Sequence, residues 1–181
     1  GPKDGDEIMA DLSAFNLTEW IEKNRDQLKP PVGNARVLPE GDFIVMAIGG
    51  PNLRTDYHDD PGEEIFYQLE GDMILRVMEE GGPRDISIKA GDIFLLPANI
   101  RHSPQRPADS VGLVVERLRK SGELDGFEWF CEDCNALVHR AEVQLQDIYK
   151  DLPPLFDAYY DDAGLRLCKQ CGHQNPGRSQ G

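Results

Sequence analysis

Two stretches decide the fold: GPNLRTDYHDDPGEEIFYQLEG (Gly50–Gly71) and GDIFLLPANIRHSPQR (Gly91–Arg106). Each starts at a glycine and contains a histidine, together with apolar runs that are short enough to be strands. Side chains at alternate positions of an extended chain project to one face, so Arg54, Asp56 and His58 are predicted to share a surface. The sequence therefore predicts a strand face that carries a guanidinium, a carboxylate and an imidazole.

Further side chains suited to chemistry come from the neighbouring segments. Residues 59–62 (DDPG) form a predicted turn, after which the strand of Glu64 folds back towards His58. The second stretch is predicted to end a strand in a loop with His102, and Arg106 follows four residues later. Two histidines and one carboxylate from separate strands are the ligands of the facial triad, which leaves positions on non-haem Fe(II) open for substrate and O2. Unrelated polar residues on the rim of a sheet are the alternative interpretation.

Strand-like runs continue on both sides of these stretches. They are separated by turn residues and cover 43–48, 65–69, 73–78, 85–88, 93–96 and 111–118. Short strands at such spacing are typical of a β-sandwich or barrel. We therefore predict a mainly β fold for this part of the chain.

A short helix is predicted before the strands. Asn16 with Glu19 three positions later is a helix-capping pattern, and the helix stops at Pro30-Pro31. Gly1-Pro2 is typical of the remnant of a protease-cleaved tag. The first predicted unit, helix and barrel together, accordingly covers residues 9–120.

The charge balance excludes several classes of partner. In 181 residues, 33 Asp plus Glu outnumber 19 Lys plus Arg, which gives a formal net charge of −14. Nucleic acids and anionic membrane surfaces require clustered Lys and Arg, so neither is an expected partner. There is no run of about 18 apolar residues, which excludes a transmembrane helix. Because no basic-then-apolar leader is present, the chain is expected to be cytoplasmic.

The four cysteines form two Cys-x-x-Cys pairs: Cys131, Cys134, Cys168 and Cys171. Disulfides are disfavoured in a cytosolic protein, and two such pairs can supply four thiolates to one tetrahedral metal ion. Four thiolates leave no open coordination position, so the predicted site is structural, and both iron and zinc suit it. Two redox-active or merely buried pairs are the alternative. His139 and His173 lie near the cysteines in sequence and are interpreted as bystanders.

The cysteines belong to a second predicted unit, residues 121–177, a small metal-binding module packed on the barrel. Within it, residues 123–162 hold 11 acidic and 2 basic side chains, so most of the negative charge is predicted to lie away from the candidate site. Apolar alternation over residues 141–145 predicts a strand. Leu155–Tyr160 is predicted as a helix that starts after Pro153-Pro154.

The first stretch resembles a motif of the cupin superfamily, G-x5-H-x-H-x3-4-E-x6-G. The match runs from Gly50 to Gly71, with Asp56 where the first histidine would stand and a longer gap from His58 to Glu64. Loss of that histidine turns a site of four ligands into one of two His and one Glu.

The second stretch resembles the other cupin motif, G-x5-P-x-G-x2-H-x3-N. Gly91, Pro97 and His102 keep their spacing, while Asn99 takes the second glycine position and Arg106 takes the asparagine position. The resemblance implies a cupin fold: a double-stranded β-helix or jelly-roll barrel, here with a short N-terminal helix and a C-terminal four-cysteine module.

Within the superfamily, three strings with the two Cys-x-x-Cys pairs resemble the 3-hydroxyanthranilate 3,4-dioxygenase family: GGPNLRTDYH (49–58), LLP (95–97) and RHSPQRP (101–107). The likeness is greatest to the bacterial form with a rubredoxin-like iron site. It implies catalytic iron on three residues, His58, Glu64 and His102. It further implies that Arg106 holds the substrate carboxylate, that Arg54 lies close to substrate and O2, and that Glu116 lies near the amino and hydroxyl groups. A second metal, iron or zinc, would lie on the four cysteines.

These implied roles are chemically reasonable. The planar fork of arginine suits a carboxylate, and lysine would replace it poorly. Glu116 on a strand face could act as a general base for the substrate hydroxyl. The alternatives are an edge-strand Glu116 paired with Arg117 or Arg119, and an ion pair of Arg54 or Arg106, for example with Asp56. Otherwise, Asp56 is interpreted as a hydrogen-bond partner that orients a metal-bound histidine.

The implied reaction is the O2-dependent opening of 3-hydroxyanthranilate to 2-amino-3-carboxymuconate semialdehyde, which closes non-enzymatically to quinolinate. One rival is another Fe(II) cupin dioxygenase of a small aromatic acid. A second is a non-catalytic cupin binding protein with a zinc-ribbon-like module. By analogy with other cupins a homodimer is expected, and the sequence leaves open whether the reaction serves NAD biosynthesis or aromatic degradation.

Overall fold

A computed structural model describes residues 12–178 of the protein. The predicted Gly1-Pro2 tag remnant and the first three residues of the unit predicted over 9–120 lie outside the described residues. Among residues 12–178, no helix is both long enough and apolar enough to cross a membrane. The structure is mainly β, with one short helix before the strands and a longer one after them.

The described chain forms two α-helices, one 3-10 helix and eleven strands. Their bounds are α1 Leu17–Asn24, the 3-10 helix Arg25–Leu28, β1 Asn34–Arg36, β2 Phe43–Gly49, β3 Tyr57–Asp59, β4 Glu64–Glu70, β5 Met73–Glu79, β6 Gly82–Ile88, β7 Ile93–Leu96, β8 His102–Gln105, β9 Val111–Arg117, β10 Asp125–Phe130, β11 Leu137–Val143 and α2 Ile148–Tyr160.

The strands form two antiparallel sheets that pack face to face. The first sheet has the order β1-β2-β9-β4-β7, and the second has the order β11-β10-β3-β8-β5-β6. Buried apolar side chains from both sheets fill the space between them: Phe66, Met73, Leu75, Val77, Ile88, Leu96 and Val114. Because alternate side chains of each strand face this core, polar residues on the same faces are brought into the interior. The predicted cupin jelly roll is confirmed.

The N-terminal helix forms as its capping pattern predicts. The Asn16 side chain accepts a hydrogen bond of 2.9 Å from the backbone N–H of Glu19, which satisfies a donor at the helix start. Ile21 and Leu28 are buried against the outer face of the first sheet, beside Ala47 and Val111. The helix therefore covers one side of the sheet that carries Glu64.

The last helix begins earlier than predicted. It covers Ile148–Tyr160, and Pro153-Pro154 lie inside it rather than before it. The cap is Asp147, whose side chain accepts a 2.9 Å hydrogen bond from Tyr149 N. The prolines remove two intrahelical donors, but packing of the helix against Phe127 and Trp129 outweighs that loss.

Two strand predictions also need correction. The strand predicted over residues 141–145 runs instead over Leu137–Val143, so Leu145 lies in the following loop, where it faces the candidate site. His102, which was predicted in a loop, is the first residue of β8. The turn before it depends on Asn99, whose φ of 65° is the left-handed conformation that the motif's glycine would adopt.

Candidate active site

Three side chains with metal-binding atoms converge between the two sheets. β3 pairs with β8 so that His58 lies opposite His102, and Glu64 reaches both from β4 of the facing sheet. Glu64 Oε2 lies 2.6 Å from His102 Nε2, and Glu64 Oε1 lies 3.7 Å from His58 Nδ1. One ligand atom from each residue lies within 4.8 Å of the others. The structure thus brings together the three residues of the predicted triad.

This donor set fits a divalent metal ion. His102 Nδ1 lies 2.8 Å from the carbonyl oxygen of Ile100, which can only accept, so Nδ1 carries a proton and Nε2 faces Glu64. Glu64 Oε2 is buried and has no hydrogen-bond partner. Glu64 Oε2 lies 2.6 Å from Nε2, and two lone-pair atoms this close need a cation or a proton between them. His58, Glu64 and His102 could hold that cation.

The carboxylate that orients His58 is Asp125, not Asp56. Asp125 is fully buried, and its Oδ2 lies 2.6 Å from His58 Nε2. Burial alone lowers the pKa of His58, but the hydrogen bond to Asp125 and the charge of Glu64 outweigh it and raise the pKa to about 9. Asp56 instead binds Arg54. The interpretation of Asp56 as the partner of a ligand histidine is wrong.

A buried arginine balances the carboxylates around the triad. Arg119 donates to both oxygens of Asp125, at 2.7 and 2.6 Å, and its Nη2 also contacts Asp60 at 3.1 Å and Glu116 at 3.3 Å. Burial by itself lowers the pKa of Arg119, but these carboxylates together outweigh burial and raise the pKa. Asp125 lies in the region that was predicted to be remote from the site, so that prediction is wrong for this residue.

Glu116 lies on β9, directly opposite Glu64 of β4. Because β9 is the middle strand of its sheet, the edge-strand interpretation is wrong, although the predicted contact with Arg119 is present. Burial and the nearby charge of Glu64 raise the pKa of Glu116. A carboxylate with a raised pKa that lies directly opposite the candidate metal ligand Glu64 is suited to take up a proton.

The two predicted arginines line the same cavity as the triad. Arg106 is 4% exposed, and neither Nη1 nor Nη2 has a hydrogen-bond partner. Burial, and then the charge of Arg54, lower the pKa of Arg106 to about 10. Arg54 is held by Asp56 through contacts of 3.1 and 2.6 Å. A buried guanidinium without a partner is costly unless an anion occupies the site.

The cavity itself has a volume of about 150 Å³ and is otherwise largely apolar. Several of its lining residues come from the C-terminal part of the chain, which the sequence did not predict: Phe127, Leu145, Ile148 and Leu152. The Phe127 ring stacks on His58 with centroids 4.8 Å apart. The cavity therefore combines a candidate metal triad, a buried carboxylate with a raised pKa and two guanidinium groups within an apolar wall.

The four cysteines converge at a separate point of the structure. Cys131 Sγ lies 3.6 Å from Cys171 Sγ, and Cys134 Sγ lies 3.6 Å from Cys168 Sγ. The backbone N–H groups of Cys171 and Gln170 lower the pKa of Cys168 to about 6, which favours its thiolate. Among the described residues, neither His139 nor His173 joins this group. The cluster could hold one metal ion with four sulfur ligands.

Comparison with known proteins shows the family of this chain. A sequence model of 3-hydroxyanthranilic acid dioxygenases matches residues 9–160. The chain belongs to the 3-hydroxyanthranilic acid dioxygenase family. The match includes all residues of the metal triad, both arginines and Glu116, together with the first cysteine pair.

Curated proteins named 3-hydroxyanthranilate 3,4-dioxygenase are similar over nearly their whole length. The protein from Brucella anthropi is 55% identical over 94% of this chain and 96% of its own. The one from Ruegeria pomeroyi is 54% identical over 94% of this chain and 95% of its own. A solved cupin-2 domain protein from Shewanella frigidimarina is 12% identical over 54% of this chain and 91% of that one, with a TM-score of 0.45.

Proposed function

We propose that the protein binds Fe(II) on His58, Glu64 and His102 and catalyses the O2-dependent ring opening of 3-hydroxyanthranilate to 2-amino-3-carboxymuconate semialdehyde. The observation that carries this proposal is the unpartnered, buried Arg106 guanidinium, which shares one cavity with the metal triad. Membership of the 3-hydroxyanthranilic acid dioxygenase family supports the same substrate. When bound, Fe(II) brings substrate and O2 together and passes electron density between them.

Different side chains of the protein bind different parts of the substrate. In this proposal Arg106 forms a bidentate contact with the substrate carboxylate. Arg54, which is fixed by Asp56 and lines the same cavity, would lie close to substrate and O2. Glu116 accepts the proton of the ring hydroxyl, since burial and Glu64 have raised its pKa. The apolar wall around Phe127 excludes water from the ring.

The proposal is tested by loading the protein with Fe(II) without air and then adding 3-hydroxyanthranilate with O2. We expect one O2 consumed per substrate and a new ultraviolet absorbance that decays as the product closes to quinolinate. A panel of hydroxylated aromatic acids separates this function from that of another cupin dioxygenase. A non-catalytic, zinc-only binding protein would consume no O2 with any substrate.

The Asp125–His58 contact leads to a prediction about metal affinity. Asp125→Asn keeps the shape of the side chain but removes the charge that orients the imidazole, so we expect Fe(II) affinity to fall by about 10- to 100-fold. Chelator competition measures the dissociation constant. Asp56→Asn is the matched control, because Asp56 contacts Arg54 and not His58. Equal iron affinity of the two variants would contradict this role for Asp125.

We further propose that the four cysteines hold one structural iron or zinc ion. Cys131 is buried, so Cys131→Ser should release that ion and lower the thermal midpoint by several degrees, since structural metals contribute folding free energy. Elemental analysis and thermal unfolding measure both effects. Ser121→Ala, a change at an exposed turn position, is the control. A Cys131→Ser protein with full metal content would count against the site.

The remaining organisation is also proposed. The unit of residues 9–120 supplies the triad, both arginines and Glu116, and the unit of residues 121–177 is the metal module, whose β10 and β11 extend the second sheet and bring Asp125 and Phe127 to the site. The outer face of β4 and β7 exposes a cluster of apolar side chains that supports a homodimer: Ile65, Tyr67, Ile93 and Leu95. We further propose that the enzyme is cytoplasmic and acts in tryptophan catabolism by the kynurenine route, with a product that closes to quinolinate, a precursor for NAD biosynthesis.

A further inference from the structure

The guanidinium of Arg106 lies against a strand position that has no side chain. An ideal Cβ added at Gly112 of β9 would lie 2.9 Å from Arg106 Nη1 and 2.4 Å from Gln68 Oε1. Real Cβ atoms do not approach other heavy atoms so closely. Any larger residue at position 112 would therefore displace the guanidinium, the Gln68 amide, or both.

Gln68 lies next to Gly112 and Arg106 in the same part of the site. It lies directly opposite Gly112 in the pairing of β4 with β9, and only 1% of the residue is exposed. Its Nε2 donates a 3.2 Å hydrogen bond to the carbonyl oxygen of Glu70, which turns Oε1 towards Gly112 and Arg106. The amide oxygen and the guanidinium thus both border the space above Gly112, where the amide offers the negative end of a dipole but no full charge that would neutralise the arginine.

We propose that Gly112 and Gln68 are positioning residues that give the site its preference for a carboxylate. Gly112 leaves the space in which the Arg106 side chain lies, and the neutral Gln68 leaves the arginine charge free to bind an anion from the cavity. A glutamate at position 68 would pair with Arg106 and compete with the substrate carboxylate. This inference rests on the proposed function, since it assumes that Arg106 binds the carboxylate.

The test compares 3-hydroxyanthranilate with 2-aminophenol, which keeps the adjacent amino and hydroxyl groups but lacks the carboxylate. Gln68→Glu should raise KM for 3-hydroxyanthranilate by about tenfold or more, because a charge-assisted contact is lost. The kcat should stay within about twofold, and so should KM for 2-aminophenol. Gly112→Ala should act in the same direction. Gln27→Glu adds the same charge at an exposed position and is the control.

A purely structural role for these residues would change both substrates alike, and an unchanged KM for 3-hydroxyanthranilate in either folded variant would overturn the inference. Binding of 2-aminobenzoate, followed by its fluorescence, provides a readout that needs no turnover. If the wild-type protein bound this anion but turned over neither substrate, the proposed function would fail. Loss of binding in Gln68→Glu would still support the inference, and retained binding would overturn it.

Discussion

Replacing Glu64 with Ala should remove one equivalent of Fe(II) from the protein and abolish turnover. In the proposed site Glu64 supplies the anionic ligand, and its Oε2 has no hydrogen-bond partner. Without it, two imidazoles remain to hold a hard cation that prefers an oxygen ligand as well. His58→Ala should have the same effect, because the remaining pair of ligands comes from opposite sheets.

The measurement is iron content after anaerobic loading and gel filtration, followed by O2 uptake with 3-hydroxyanthranilate. Glu63→Ala is the matched control, since Glu63 is the exposed neighbour of Glu64 and contributes no atom to the triad. We expect the control to keep wild-type iron content and rate. Either triad variant that retained both properties would remove the basis for the proposed iron site.

The sequence was informative about the triad because its residues lie in two local motifs. Glycine, proline and histidine spacings predicted the strands and turns that carry His58, Glu64 and His102. Even the departure at Asn99 has a local explanation, because asparagine tolerates the left-handed conformation better than most residues. The resemblance carried by these local motifs therefore predicted both the fold and the three residues of the candidate triad.

The partners of those ligands could not be predicted in the same way. Asp125 reaches His58 only because β10 pairs with β3, with Phe127 opposite His58. That pairing joins segments far apart in the chain, and in the sequence Asp125 is one of many acidic residues in its region. The same is true of Gly112, which matters because the guanidinium of Arg106, from the loop between β8 and β9, lies against it. These contacts depend on how distant strands pair in the folded protein, which local sequence patterns do not show.

The pairing of the strands also changes the interpretation of the acidic composition. Several carboxylates of the chain are buried around Arg119, and they balance its charge rather than adding to the outer surface. Arg106 is different, because no carboxylate of the described residues forms an ion pair with it. A net charge of −14 repels an anionic substrate at long range, so attraction must come at short range, where screening is weak, from the unpaired Arg106 guanidinium and the proposed iron in the same cavity.

Arg106→Ala should consequently raise KM for 3-hydroxyanthranilate by about 10- to 100-fold, since a hydrogen bond to a charged group contributes roughly 1.5 to 3 kcal/mol. The kcat should change much less, because the guanidinium binds the carboxylate and not the reacting ring carbons. Arg106→Lys should recover only part of the affinity, as an ammonium cannot form the bidentate contact. Steady-state O2 uptake over a range of substrate concentrations measures both constants.

The stability of the same variant provides an independent check on this role. A buried ion pair that loses one partner destabilises a protein strongly, whereas Arg106 has no partner to leave behind. Without ligand, the thermal midpoint of Arg106→Ala should therefore stay close to that of the wild type, while stabilisation by added 2-aminobenzoate should disappear. Arg84→Ala on the protein surface should retain that stabilisation. A large loss of stability with an unchanged KM would instead indicate that Arg106 is structural, and the binding of substrate carboxylate would then have to depend on Arg54.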